Sequence, residues 1–302
     1  MEESTDIALA RFTTLKVGGN ARRLCQPTNV AELRKLVEEL RKSGEQWFVL
    51  GGGSNLLVSS EGFPGTVIRM TQMINIENPE PGILVADAGA RLPHLAKHAA
   101  SLGLSGLEFA VGIPGTVGGG AVMNAGAHGS CIANVTESVT VLDTTSGDIK
   151  VWTHDEMKFV YRNSAIDPDK HVVVSSRYKL TPADADAIKA ATQHNEEYRW
   201  RTQPLGFPNA GSTFKNPSAE RSAGMLLDQA GAKELKEGNA AVSAIHANFV
   251  VNLGGATSYE VTTLLSKMQD TVYDKFEVRL HPEWKRLGKF SDAEREIWNG
   301  GK

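Results

Sequence analysis

Apolar positions recur along this chain with two periods. VAELRKLVEELRKS (30–43) has helical spacing, and Asn29 with Glu32 predicts a capping box at its start. RLPHLAKHAASLG (91–103) repeats that spacing and stops at Gly103, a residue suited to ending a helix. TPADADAIKAATQHNEEYRWRTQP (181–204) is expected to be a third helix, with Pro182 at its first position and Asp184 in its first turn. Helices are also expected over 222–230 and from Thr257, where Glu260 is the capping partner. Short strands are predicted at 22–25, 66–70, 83–87, 171–180 and 278–280, with two more near 240–252. Strands 135–143 and 148–152 should be joined by the turn TTSG. WFVLGGGSNLLVS (47–59) reads as a buried strand breaking into a glycine turn, and QPLGFPNAGSTFKNP (203–217) as a loop punctuated by Pro and Gly. The main change of domain is expected within 181–204.

One stretch fits neither period. VGIPGTVGGGAVMNAGAHGS (111–130) has seven glycines in twenty positions and no Asp, Glu, Lys or Arg. A membrane span of about 20 mostly apolar residues would have to be helical. Six glycines and Pro114 between Phe109 and Ala127 oppose that, at roughly 1 and 3 kcal/mol each in a helix interior. A flexible linker is equally unsuitable, because Val111, Ile113, Val117, Val122 and Met123 need burial. The expectation is a buried, irregular backbone lying against a large ligand, with a glycine-rich turn between core strands as the plainer alternative.

Composition narrows the class. At 302 residues, 41% hydrophobic and 22% charged, the chain has ordinary globular proportions and room for two or three compact units. A net charge of -3 disfavours a nucleic-acid or anionic-membrane surface. Cys25 and Cys131 are far apart, with no Cys/His cluster at metal-ligand spacing, and the acidic start MEESTDIALA lacks the features of a secretion signal. A cytoplasmic protein without disulfides or a metal is expected. His94 and His98 are four apart on a helix but have no third ligand, and are read as surface histidines.

No G-x-G-x-x-G and no G-x-x-x-x-G-K-[ST] occurs. GGGSN (51–55) follows a strand directly. Its backbone N–H groups, with Ser54 and Asn55, form either a pyrophosphate nest or simply a tight turn. Together with AGA (88–90) and the glycine run at 112–126, it suits a long cofactor with a pyrophosphate middle and a planar end. Small residues at Gly118, Ala121 and Ala125 would let backbone press on a flat ring, and Asn124 could bond its edge.

These stretches, with TTLKVGGNA (13–21), YRNS (161–164), GSTFKNP (211–217), HANFVVN (246–252) and LHPEWKRLG (280–288), occur in the order found in one family. From about Thr13 to Gly288 the chain resembles the UDP-N-acetylenolpyruvoylglucosamine reductases, flavoenzymes of peptidoglycan precursor synthesis. The resemblance implies an α+β fold of the vanillyl-alcohol-oxidase type, with FAD-binding subdomains at 1–70 and 71–195 and a C-terminal substrate-binding domain at 196–302. Only 23 residues separate Leu180 from Pro204, which implies the shorter form of the family, without its tyrosine-bearing loop.

The implied reaction passes hydride from NADPH to non-covalent FAD and then to the enolpyruvyl double bond of the substrate. Arg162 would hold the substrate carboxylate, Ser212 would donate a proton, and Glu283 would polarise the enol. Without the resemblance, these three read as a surface ion-pair residue, a turn residue and a solvated carboxylate. The resemblance assigns FAD to Gly51, Gly52, Gly53, Ser54, Asn55, Gly89, Gly112, Ile113, Pro114, Gly115, Thr116, Gly118, Ala121, Asn124 and Gly126. Lys215 and Asn216 are candidates for the substrate's diphosphate and sugar, with Arg199, Arg201, Asn248 and Lys285 behind them. The family commonly has a small apolar residue and then Arg after the catalytic Glu, whereas Trp284 and Lys285 stand here; Lys loses the bidentate fork. A monomer acting on small molecules, without nucleic acid or membrane, is expected. The competing readings are an FAD-dependent sugar or hydroxy-acid oxidase of the same fold, with His128 as a possible tether, and a non-catalytic nucleotide-sugar-binding protein.

Overall fold

The computed structural model describes residues 1–300. The chain forms two compact units. The first comprises Met1–Thr5, Arg23–Gly52 and Gly65–Arg199; the second comprises Asp6–Arg22, Gly53–Pro64 and Trp200–Lys302. The chain passes from the first to the second for the last time inside the 181–204 stretch.

In the first unit, strand Trp47–Leu50 runs parallel to Thr66–Arg69. Helix Val30–Ser43 buries Leu33, Leu36, Val37 and Leu40. Their core also contains Ile68, Val139 and Val173, so it joins residues on both sides of position 70. A five-stranded antiparallel sheet runs in the order Ile149–Thr153, Thr136–Asp143, His171–Lys179, Ile83–Asp87, Ile76–Glu80. Helix Leu92–Ser101 fills a second core with Leu92, Leu95 and Ala99, against Leu84, Phe109 and Tyr178.

The second unit is built on helix Ser258–Phe276, whose start carries the full Thr257–Glu260 capping box. It packs on helix Ala223–Gln229 and on a three-stranded antiparallel sheet, Lys236–Glu237, Ala240–Val242, Val250–Asn252. Strand Lys285–Leu287 pairs in parallel with Leu56–Val58. The core gathers Leu15, Leu57, Phe214, Leu264 and Trp284 from all three stretches of chain that make up the unit.

The structure corrects several expectations. Asn29 does cap its helix, but Glu32 turns away from it and accepts from the Thr28 N–H at 2.9 Å, so no reciprocal box forms. Thr181 and Pro182 form a short strand with Leu104–Ser105. Asp184 accepts from the Ala187 N–H, and the helix therefore begins at Ala185. The nearer acidic cap outweighs the proline signal. The expected strand at 278–280 is absent, because the Leu280 carbonyl accepts from the buried Gln269 side chain at 2.7 Å. The glycine run is not irregular throughout: it contains a 3-10 turn, Glu108–Gly112, and an α-helix, Val117–Met123. Strand Glu2–Ala8 escaped notice because its polar sequence carries no alternation.

Candidate active site

The glycine run packs against its own unit. Thr116 caps helix Val117–Met123 by accepting from the Gly119 N–H. Gly118 is buried, and a Cβ there would lie 3.0 Å from Ala88 Cβ, so this glycine admits the AGA turn. Ala121 is buried in the core. On the side where a Cβ would point, both positions pack against protein, and the small residues there let the backbone of helix Val117–Met123 lie close to its neighbours. Gly51 sits against Thr116, where a Cβ would stand 2.5 Å from Oγ1. Among the described residues, the N–H groups of Gly51 and Gly52 donate to no protein acceptor. Backbone donors left free beside a tightly packed glycine turn fit a bound diphosphate. In the second unit, the N–H groups of Gly53 and Ser54 likewise have no protein acceptor among the described residues.

The end of the glycine helix positions Arg162. Asn124, left-handed at φ 42°, donates from Nδ2 to the Val160 carbonyl at 3.0 Å and accepts from the Ala133 N–H at 3.0 Å. Ser164 Oγ donates to the Val122 carbonyl at 2.9 Å, and Arg162 Nη2 to the Gly126 carbonyl at 3.1 Å. Three bonds thus tie residues 160–164 to residues 122–126. Asn124 is buried with a bond at each end of its amide, and these bonds hold this turn. Arg162 itself is left-handed at φ 56°, uncommon for a residue with a side chain and frequent where function fixes the backbone. Its guanidinium lies 5.2 Å from the centroid of the Tyr161 ring.

The second unit brings Ser212, Glu283, Lys215 and Lys285 onto adjoining segments. The Glu283 N–H donates to the Thr213 carbonyl at 2.8 Å, and the Lys215 N–H to the His281 carbonyl at 2.9 Å. Asn55 joins them: its side chain donates to the Glu283 carbonyl at 3.3 Å, and its own carbonyl accepts from the Lys285 N–H at 3.0 Å. Asn248 pins the neighbouring loop, accepting from the Phe214 N–H and donating to the Phe214 carbonyl, both at 2.9 Å. It is buried, and its two bonds fix the backbone at Phe214. Asn216 accepts from the Ala223 N–H at 3.1 Å, which tethers the far end of the loop. Asn209 accepts from the Gly211 N–H at 3.0 Å just before Ser212. Its N-x-G spacing was a legible turn signal that drew no role from the sequence.

Ser212 and Glu283 are half-buried, whereas Thr213 and Trp284 beside them are buried. The unusual Trp284 is thereby explained: its ring fills the core, and its carbonyl accepts from Trp298 Nε1 at 2.8 Å. Lys285 is exposed as a whole residue, yet desolvation first and the like charge of Lys215 second push its ammonium below the usual lysine range. Two lysines whose charges repel suit an anion between them. Arg201 lies in the second unit, whereas Arg199 lies in the first, along Gly112.

Two family models match successive parts of the chain. Residues 21–152 match the family described as FAD binding domain, and residues 203–287 match the UDP-N-acetylenolpyruvoylglucosamine reductase, C-terminal domain. The chain is 43% identical to a reductase of that name from Prochlorococcus marinus (strain MIT 9313), over 93% of this chain and 92% of the relative. It is 41% identical to one from Caldicellulosiruptor saccharolyticus, over 94% and 92%. A crystal structure of the Thermus caldophilus reductase is similar at a TM-score of 0.80 and 36% identity, covering 95% of this chain and 98% of that one. The α+β FAD-binding fold expected from the resemblance is borne out, and the chain belongs to the UDP-N-acetylenolpyruvoylglucosamine reductase family.

Proposed function

We propose that the chain is an NADPH-dependent flavoenzyme that reduces UDP-N-acetylglucosamine enolpyruvate to UDP-N-acetylmuramate during peptidoglycan precursor synthesis. The observation that carries this reading is likeness along nearly the whole chain to reductases of that substrate, reinforced by the pairing that sets Ser212 beside Glu283. FAD, bound non-covalently, supplies a hydride acceptor for NADPH and a hydride donor for the enolpyruvyl group. The chain's residues do the rest. Arg162, held by the glycine helix, grips the substrate carboxylate through its guanidinium fork. Hydride addition at the methylene carbon places negative charge beside that carboxylate, and Arg162 and Glu283 stabilise the enol form that develops. Ser212 Oγ delivers the proton to the neighbouring carbon. Lys215 and Lys285 take the diphosphate as point charges, with Asn216 next to Lys215 in sequence and Arg201 in the same unit. Gly51–Asn55, Gly89 and Gly112–Gly126 form the cofactor side, in which Gly118, Ala121 and Asn124 act by packing and positioning.

On this reading the first unit divides near residue 70 into two FAD-binding subdomains, and the C-terminal part covers the substrate. The enzyme works as a monomer in the cytoplasm, where NADPH and nucleotide sugars meet, and binds neither nucleic acid nor membrane. The test is direct. Purified protein should be yellow and should release free FAD on acid precipitation. Mixed with NADPH and UDP-N-acetylglucosamine enolpyruvate, it should consume one NADPH per substrate. A colourless protein, or NADPH loss that needs oxygen and ignores the substrate, overturns the reading.

A further inference from the structure

Helix Ala185–Thr202 packs one face into the first unit, with Ile188 and Asn195 buried and Arg199 half-buried on it. The spacing of these three residues keeps them on one side of the helix. Asn195 anchors the face by donating to the Glu108 carbonyl at 3.0 Å. One turn later, the Arg199 stem lies along Gly112, where a Cβ would stand 3.2 Å from Arg199 Cδ. Glycine at 112 is what lets the arginine lie against the main chain. Gly112 leads directly into residues 113–116, which pack on Gly51 and Gly52.

Among the described residues Arg199 makes no hydrogen bond and no ion pair. Desolvation alone acts on it and pushes its pKa below the usual arginine range. A guanidinium withdrawn from water without a counter-charge costs stability, and such a group is retained where it meets an anion. The FAD-binding match ends at residue 152 and the reductase match begins at 203, so neither covers this arginine.

We infer that Arg199 binds an anionic group of the flavin nucleotide, and not the substrate diphosphate for which its neighbours in sequence suggested it. The anion is either the FAD phosphates or the reduced ring, whose negative charge a nearby cation stabilises. This inference rests on the FAD reading above.

The test uses full-length holoenzyme, comparing wild type with Arg199→Met, which keeps the stem and removes the charge. FAD release is followed by the return of free-flavin fluorescence, the two-electron midpoint potential by equilibration with a reference dye, and UDP affinity by titration. If Arg199 meets the phosphates, the FAD dissociation constant rises at least tenfold in Arg199→Met. If it meets the reduced ring, oxidised FAD is held as in wild type and the potential falls by ~30 mV, the equivalent of a tenfold change for a two-electron couple. In either case Arg199→Lys recovers part of the loss and UDP affinity stays within twofold. The inference is overturned if both flavin quantities of Arg199→Met match wild type, or if UDP affinity falls with or instead of them. A wild-type chain without FAD would overturn the proposed function; flavin-bearing wild type with an indifferent Arg199→Met overturns only this inference.

Discussion

The glycine run of the first unit and the GSTFKNP loop of the second both read as ligand-facing segments, yet they are built on opposite plans. In the run, buried Gly118 and Ala121 face protein, and the run serves by fitting closely against the AGA turn and by holding Arg162. In the loop, the amides of Asn209 and of buried Asn248 do the holding, and Ser212 and Lys215 stay half-exposed on a pinned backbone. Glycine density therefore marks where main chain meets main chain. In both units the main chain that carries candidate site residues is fixed by a buried amide, Asn124 in the run and Asn248 in the loop.

The sharpest test of that contrast is Ser212→Ala. General acid catalysis typically contributes about 10²–10⁴-fold, and reoxidation of reduced enzyme by the enolpyruvyl substrate should slow within that range. Reduction by NADPH should survive, since the hydroxyl has no part in it. Ser212→Cys should retain far more turnover than Ser212→Ala, because a thiol can still deliver the proton. Stopped-flow spectra of the two half-reactions separate these outcomes, and an undiminished reoxidation rate in Ser212→Ala would remove Ser212 from the chemistry.

Asn248→Leu attacks the pinning itself. It strips the Phe214 N–H and carbonyl of their buried partners, and about 1–3 kcal/mol is lost for each group left unsatisfied. We expect a lower denaturant midpoint together with slowed reoxidation by substrate, while NADPH reduction of the flavin changes little. A variant that binds UDP less tightly but unfolds at the wild-type midpoint would show instead that Asn248 touches the substrate.

The corresponding change in the first unit is Gly118→Leu. Overpacking against Ala88 should cost about 1–3 kcal/mol, and FAD should be lost in step with stability. Loss of flavin at an unchanged melting temperature would place residue 118 against the ring after all. Gly119→Ala is the control: this residue is exposed, and a Cβ there would meet only Thr116 Oγ1 at 3.6 Å. It should leave both colour and melting temperature intact.

Local signals were legible where one segment decides its own structure. Helix Val30–Ser43, helix Ser258–Phe276 with its capping box and strand Ile83–Asp87 follow from periodicity and caps alone. Glu32 was misread because a partner outside the helix competes for it: its carboxylate is taken by the Thr28 N–H and the N-terminal ammonium. The pairing of Thr213 with Glu283 was beyond reach for the same reason, since nothing in either segment names the other. Motif order supplied the expected roles through the resemblance, and the geometry adds that Asn124 and Asn248 bond the backbone around them. Trp284 shows the converse. It looked like a departure at the site, and the core shows it to be a packing residue.

The smallest expected effect concerns Lys285, where the family commonly has arginine. Its ammonium is pushed below the usual lysine range by desolvation and by Lys215, so it sheds its proton at a lower pH than an ordinary lysine with its pKa near about 10.4. The sign follows from the chemistry of the ligand. A diphosphate attracts the protonated form, so affinity is full below the lowered pKa and declines as pH rises through it. Lys285→Arg replaces a titrating cation with one that stays charged throughout the alkaline range in which lysine titrates. UDP titrations across the alkaline range should then show wild-type affinity declining while Lys285→Arg stays flat. As pH falls the two should converge, because the lysine regains its proton and a point-charge contact needs no fork. Parallel pH profiles would mean that position 285 does not meet the diphosphate, leaving Lys215 to carry the anion contact in the second unit.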